Sequence, residues 1–73
     1  MITEAKIRKA AGKMKESIWE IDCLEGEWFV WLKDDYVQDG SRAQSFNVYM
    51  DESYDRVKWE FSNVRKLEAG ETP

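Results

Sequence analysis

Histidine is absent from this chain, and cysteine occurs once, at Cys23. Without histidine, acid–base catalysis near neutral pH lacks its usual side chain. A lone cysteine excludes an intrachain disulfide and a zinc site of the Cys/His type, and Cys23 reads as a small buried hydrophobe. Neither a glycine-rich phosphate loop nor a nucleophile with a plausible base is present. The amino-terminal stretch holds no long apolar run, which argues against a leader peptide or membrane span and for a reducing, cytoplasmic setting. These absences together describe a non-enzymatic protein with no cofactor, no metal and no membrane partner.

Basic charge is scarce over most of the chain. Between Ser17 and Asp55 ten acids face only Lys33 and Arg42, a formal charge of −8. The sixteen residues before that stretch carry Lys6, Arg8, Lys9, Lys13 and Lys15 against Glu4 and Glu16. A net charge of −4 disfavours nonspecific binding to nucleic acid by the molecule as a whole. Charge segregated in this way points to a partner-facing surface.

Seventy-three residues make one domain, residues 1–73, near the lower limit for a core without staples. Four tryptophans, three phenylalanines and three tyrosines supply large side chains for it. Residues 3–16 read as a helix, with Thr3 at its start and Ile7, Ala10 or Ala11, Met14 and Ile18 at helical spacing. From Trp19 the period shortens to two, predicting strands at about 18–24, 28–37, 43–50 and 56–61 and a frayed tail over 68–73. A two-residue turn at Glu25-Gly26 pairs Cys23 with Trp28, Ile21 with Val30 and Trp19 with Leu32. A three-residue loop at Asp39-Gly40-Ser41 pairs Leu32 with Val48 and Val30 with Met50. A loop over Glu52–Asp55 pairs Met50 with Val57, Val48 with Trp59 and Phe46 with Phe61. Twelve apolar residues then share one face, three of the four tryptophans among them.

The fold class is therefore α+β, an N-terminal helix packed on an antiparallel meander of three to four strands, with an SH3-like curled sheet as one form. The alternative is α-β-β-β-α, with a C-terminal helix at about 51–68. Tyr54, Val57, Phe61, Val64 and Leu67 recur at three and four, Asp51 is positioned to cap, and Gly70 follows the end. That alternative leaves Trp59 outside the core.

One helix cannot cover both faces of a sheet. The other face carries Glu20, Asp22, Phe29, Trp31, Lys33, Asn47, Tyr49, Lys58 and Glu60, with Trp31 beside Glu20 and Tyr49. Read structurally, its aromatics stabilise the meander by cross-strand pairing. Read functionally, Glu20, Asp22, Phe29, Trp31, Asp34, Asp35, Tyr36 and Tyr49 form a partner-binding surface, with an aromatic centre and an acidic rim that selects a basic protein. Asp34-Asp35 also suits a mid-strand bulge. Asp51, Glu52 and Asp55 lack the spacing of a calcium loop. Two further readings remain: nucleic-acid contacts through Lys6, Arg8, Lys9 and Lys13, and a homodimer through Phe29, Trp31 and Tyr49.

In size, acidity and lack of catalytic groups the chain resembles the small phage-encoded inhibitors of CRISPR or restriction systems, a likeness of overall character that no motif carries. It implies a host-cytoplasmic protein that docks on a basic, nucleic-acid-binding surface and blocks it. At the level of fold, a short meander is also similar to SH3-like and Tudor-like barrels, whose aromatic cages would here draw on Trp31, Tyr36 and Tyr54.

Overall fold

A computed structural model describes residues 1–72, so Pro73, the last residue of the expected tail, lies outside the described residues. In chain order the elements are α1 (Glu4–Ala11), a 3-10 helix (Gly12–Ser17), β1 (Ile18–Leu24), β2 (Glu27–Leu32), β3 (Tyr36–Gln38), β4 (Ser45–Tyr49), α2 (Tyr54–Ser62) and β5 (Val64–Lys66). The architecture is α+β. Strands β1, β2 and β4 form an antiparallel sheet with β2 in the centre, and β3 pairs with β5 in a second, two-stranded sheet. Among the described residues the strands do not close into a barrel.

The Thr3 hydroxyl caps α1 by accepting from the Lys6 amide, and Ile7, Ala10 and Ala11 line its buried side. The helix ends five residues before the expected 16. Gly12 takes φ +54° and ψ −120°, a conformation open only to glycine, and its amide bonds back to the Lys9 carbonyl. A 3-10 helix completes the segment, with the buried Ser17 hydroxyl donating to the Met14 carbonyl.

The β1–β2 turn matches expectation: Glu25 and Gly26 both have positive φ, as a type I′ turn requires, and Cys23 faces Trp28 while Ile21 faces Val30. The third expected pair does not form. A bulge between Ile18 and Glu20 brings Ile18, not Trp19, opposite Leu32 and buries Ile18 in its place. Farther on, β2 stops at Leu32, and Asp34-Asp35 is a turn instead of a mid-strand bulge. The chain leaves the sheet as β3 and returns as β4, so Val30 faces Phe46 and Trp28 faces Val48. This register differs from the expected one by four residues, an even number, which keeps every side chain on its intended face.

The expected strand at 56–61 is helix α2. Ser53, not Asp51, caps it by accepting from the Arg56 amide. Val57 and Phe61, four apart, are buried, and Phe61 meets Phe46 edge-on at 5.1 Å between ring centroids. The anticipated Phe46–Phe61 contact is thus made between helix and sheet. Gly70 lies in a turn after β5 and caps no helix.

Both helices pack on one face of the three-stranded sheet. Ile7, Ala10 and Ala11 from α1, and Val57 and Phe61 from α2, join Ile21, Val30, Leu32, Phe46 and Val48 in a single core. Each fully buried aliphatic side chain such as Ile7 or Val30 contributes about 1.5–3 kcal/mol. The amino terminus is part of this layer. The Ile2 amide donates to the Met50 carbonyl at 2.8 Å, and the Trp28 indole donates to the Ile2 carbonyl at 3.1 Å.

Within residues 68–72, part of the tail expected to fray, Glu68, Glu71 and Thr72 make specific contacts. Arg65 holds Glu71 through two parallel bonds of 2.9 and 2.6 Å and reaches Asp39 at 2.6 Å. Arg42 joins from the other side, at 3.3 Å from the Glu71 carboxylate and 2.6 Å from the Thr72 carbonyl. The bidentate Arg65 contact lowers the Glu71 pKa to about 2, helped by the Glu68 amide, and Glu71 and Asp39 raise that of Arg65.

Candidate functional site

Among the described residues no helix lies over the second face of the β1-β2-β4 sheet. Alternation along the strands sends Glu20, Asp22 and Leu24 from β1, Glu27, Phe29 and Trp31 from β2, and Ser45, Asn47 and Tyr49 from β4 to this side. Ladder register sets Glu20 directly across from Trp31 and Asp22 across from Phe29. Tyr49 stands opposite Glu27, so it neighbours Phe29 diagonally and is not beside Trp31, as the longer β2–β4 pairing required.

Trp31 keeps 41 % of its surface exposed although strands flank it on both sides. Together with Phe29, Leu24 and Asp22 it lines a shallow depression of about 180 Å³. The depression is apolar apart from the Asp22 carboxylate. Of the three acids on the face, Glu27 accepts from the Asn47 side-chain amide at 2.6 Å. Glu20 and Asp22 make no ion pair or side-chain hydrogen bond among the described residues. The nine strand positions of this face include no lysine or arginine and carry a formal charge of −3; Lys33, exposed one residue past the end of β2 and of the same parity as Trp31, is the cation that borders them.

The structure brings five of the eight expected partner-binding residues together: Glu20, Asp22, Phe29, Trp31 and Tyr49. The other three fall elsewhere. Asp34 and Asp35 occupy the turn after β2, where the Asp35 carboxylate lies 3.7 Å from the Lys66 ammonium and the Asp35 backbone carbonyl accepts from the Leu67 amide. Tyr36 sits on β3 and packs half-buried against the core. Tyr54 is likewise half-buried there, so Trp31, Tyr36 and Tyr54 do not form a cage. Lys58 and Glu60, expected on the sheet, belong to α2. Glu60 is buried, with Arg56 at 3.2 Å and the Gln38 side-chain amide donating to its other oxygen.

Tryptophan placement corrects the sequence reading. Trp28 alone of Trp19, Trp28 and Trp59 packs on the core. Trp19 is 69 % exposed at the β1 bulge and lines a depression of about 300 Å³ with Lys33 and Asp34. Trp59 is 54 % exposed on α2, with the Arg56 guanidinium 4.7 Å from its ring centre. Cys23, expected as a small buried hydrophobe, is exposed as well, near the hairpin end of β1. A bulge cannot be read from alternation alone, so nothing in the sequence marked Trp19 as exposed. For Trp59 the signal existed in the helical period of its neighbours.

On the opposite side of the molecule, Lys6, Lys9 and Lys13 are exposed and make no ion pair among the described residues. Arg8 differs, because its Nε bonds Glu4 at 3.1 Å. No helix among the described residues is long and apolar enough to cross a membrane. Comparison with protein-family models, curated proteins and solved structures returned no match.

Proposed function

We propose that this chain is a non-enzymatic interaction protein that docks its open sheet face on a basic, nucleic-acid-binding surface of a partner protein and inhibits it by occupying that surface. The observation that supports this reading is the pairing of Trp31 and Phe29 with two unengaged carboxylates, Glu20 and Asp22, on strand positions that include no basic residue. An arginine or lysine that holds a phosphate can instead be met by Glu20 and Asp22, while the aromatic pair supplies the desolvated centre that gives an interface its affinity. Action on a CRISPR or restriction complex in a host cytoplasm is the setting that such an inhibitor fits.

Affinity capture from a bacterial lysate tests the reading, comparing the native chain with the triple variant Glu20→Gln/Asp22→Asn/Trp31→Ala. The expected result is a nucleic-acid-binding protein held by the native chain, released by salt, and lost from the variant. Retention of the same proteins by both, or of chaperones alone, would overturn it.

A second reading, nucleic-acid binding through α1, draws on the unpaired Lys6, Lys9 and Lys13. It requires a mobility shift that weakens steeply with salt and disappears when these three lysines are neutralised. The −8 segment would repel the same strand, which is why the first reading is preferred.

A further inference from the structure

Strand β1 has a neighbour on one side only. The direction of its backbone groups follows from the hydrogen bonds around it. The Lys33 amide donates to the Ser17 carbonyl, so odd-numbered β2 positions face β1. The Leu32 amide donates to Gln44 and the Gly26 carbonyl accepts from Met50, so even-numbered positions face β4. By the register, Glu20, Asp22 and Leu24 turn their amides and carbonyls toward β2. Ile21 and Cys23 turn theirs outward, to the edge without a neighbouring strand, where no backbone hydrogen bond among the described residues engages them.

Such an edge is a template for another strand. We infer that β1 takes up, in antiparallel pairing, an extended segment of a partner that carries lysine or arginine at alternate positions. This inference rests on the functional reading above and gives the contact its form. Residues of the added strand opposite Ile21 and Cys23 would bond the free backbone groups. Their neighbours would project onto the open face, against Glu20 and Asp22, and there the basic residues belong.

Charge decides against a second copy as the occupant. Antiparallel self-pairing centred on Ile21 sets Glu20 against Asp22 twice, and sliding by two residues sets Asp22 against Asp22. Both registers bring carboxylates face to face, so the acids that deter self-association select a basic strand.

A capped eight-residue peptide alternating lysine and threonine, titrated calorimetrically into the native chain, provides the test. Two N-methylated forms carry the same charge. Methylation at the threonines removes the amides that would bond Ile21 and Cys23, whereas methylation at the lysines touches only outward amides. The first form should bind at least tenfold more weakly than the parent and the second within about threefold. Equal affinity of all three peptides, or no binding by the parent, would refute strand addition.

The variant Cys23→Pro removes one outward amide and leaves the β2 ladder intact. It should lose the parent peptide tenfold while its urea unfolding stays close to native. If Cys23→Pro captures the same basic protein from lysate as the native chain, and the Glu20/Asp22/Trp31 variant does not, then the edge is refuted while the face reading survives. If neither discriminates, both fall. A dimer at low salt in sedimentation would overturn the choice of occupant.

Discussion

The two faces of the three-stranded sheet are built from the same strands by the same alternation, yet they are finished differently. On one face, Ile21, Val30, Leu32, Phe46 and Val48 meet two helices and the amino terminus. On the other, Trp31, Tyr49 and Leu24 remain exposed beside Glu20 and Asp22. If aromatic residues served only to give a short chain a core, they would lie on the first face. Instead, three of the four tryptophans are exposed, and the core is mostly aliphatic with Phe46 and Phe61. The difference teaches that this protein folds mainly on its aliphatics and leaves three of its four tryptophans exposed, the placement that the proposed docking role would use.

The comparison can be broken most forcefully on the covered face. Phe61→Ala removes a ring packed on Phe46 and should cost about 3–5 kcal/mol in urea unfolding. Next is Gly12→Ala, at the junction that turns α1 onto the sheet. No atom lies within 4 Å of where the new Cβ would stand, so the cost is backbone strain alone, about 1–3 kcal/mol. A loss below that range would mean the positive φ is not needed to end the helix.

Effects shrink on the open face and its surroundings. Trp31→Ala should change stability by about 0.2–1 kcal/mol, the worth of a cross-strand pair, while lowering partner affinity at least tenfold. Smallest is the tail clamp. Glu71 has its pKa depressed to about 2 by Arg65, so its contribution to stability is complete above the ordinary value of 4.5 and is lost as pH falls toward 2. Glu71→Gln should therefore be less stable than the native chain at neutral pH, and the gap should close as acid is added toward pH 2. A gap independent of pH would show that the Arg65 pair does not couple to folding.

How much of this was legible follows from what each signal constrains. Glu25-Gly26 dictates a two-residue turn, and the register of the β1–β2 hairpin near it follows directly. Farther from the turn the constraint fades. The bulge at Ile18 and Trp19 exchanges two apolar residues that alternation cannot rank. Asp34-Asp35 turns the chain out of the sheet, yet the shift of four residues preserves parity, so Phe46 and Val48 still point inward. The strand expected at 56–61 rested on burying Trp59 and on the poor helix propensity of Val57, Phe61, Ser62 and Asn63, and packing of α2 on the sheet overrides both. Val57 and Phe61 already carried the helical period, and α2 forms with Trp59 outside. Of the candidate site, the strand residues were legible because parity alone assigns a face. Asp34, Asp35 and Tyr36 were misplaced because they lie past the point where β2 ends.

The most direct measurement of the division between faces is urea unfolding of the double variant Trp31→Thr/Tyr49→Thr, set beside Phe61→Ala. Threonine keeps the strand preference and removes both exposed rings. A face kept for docking predicts a loss of no more than about 2 kcal/mol, together with loss of partner capture. A loss equal to that of Phe61→Ala, with capture unchanged, would show that the open aromatics hold the fold together and are not there for a partner.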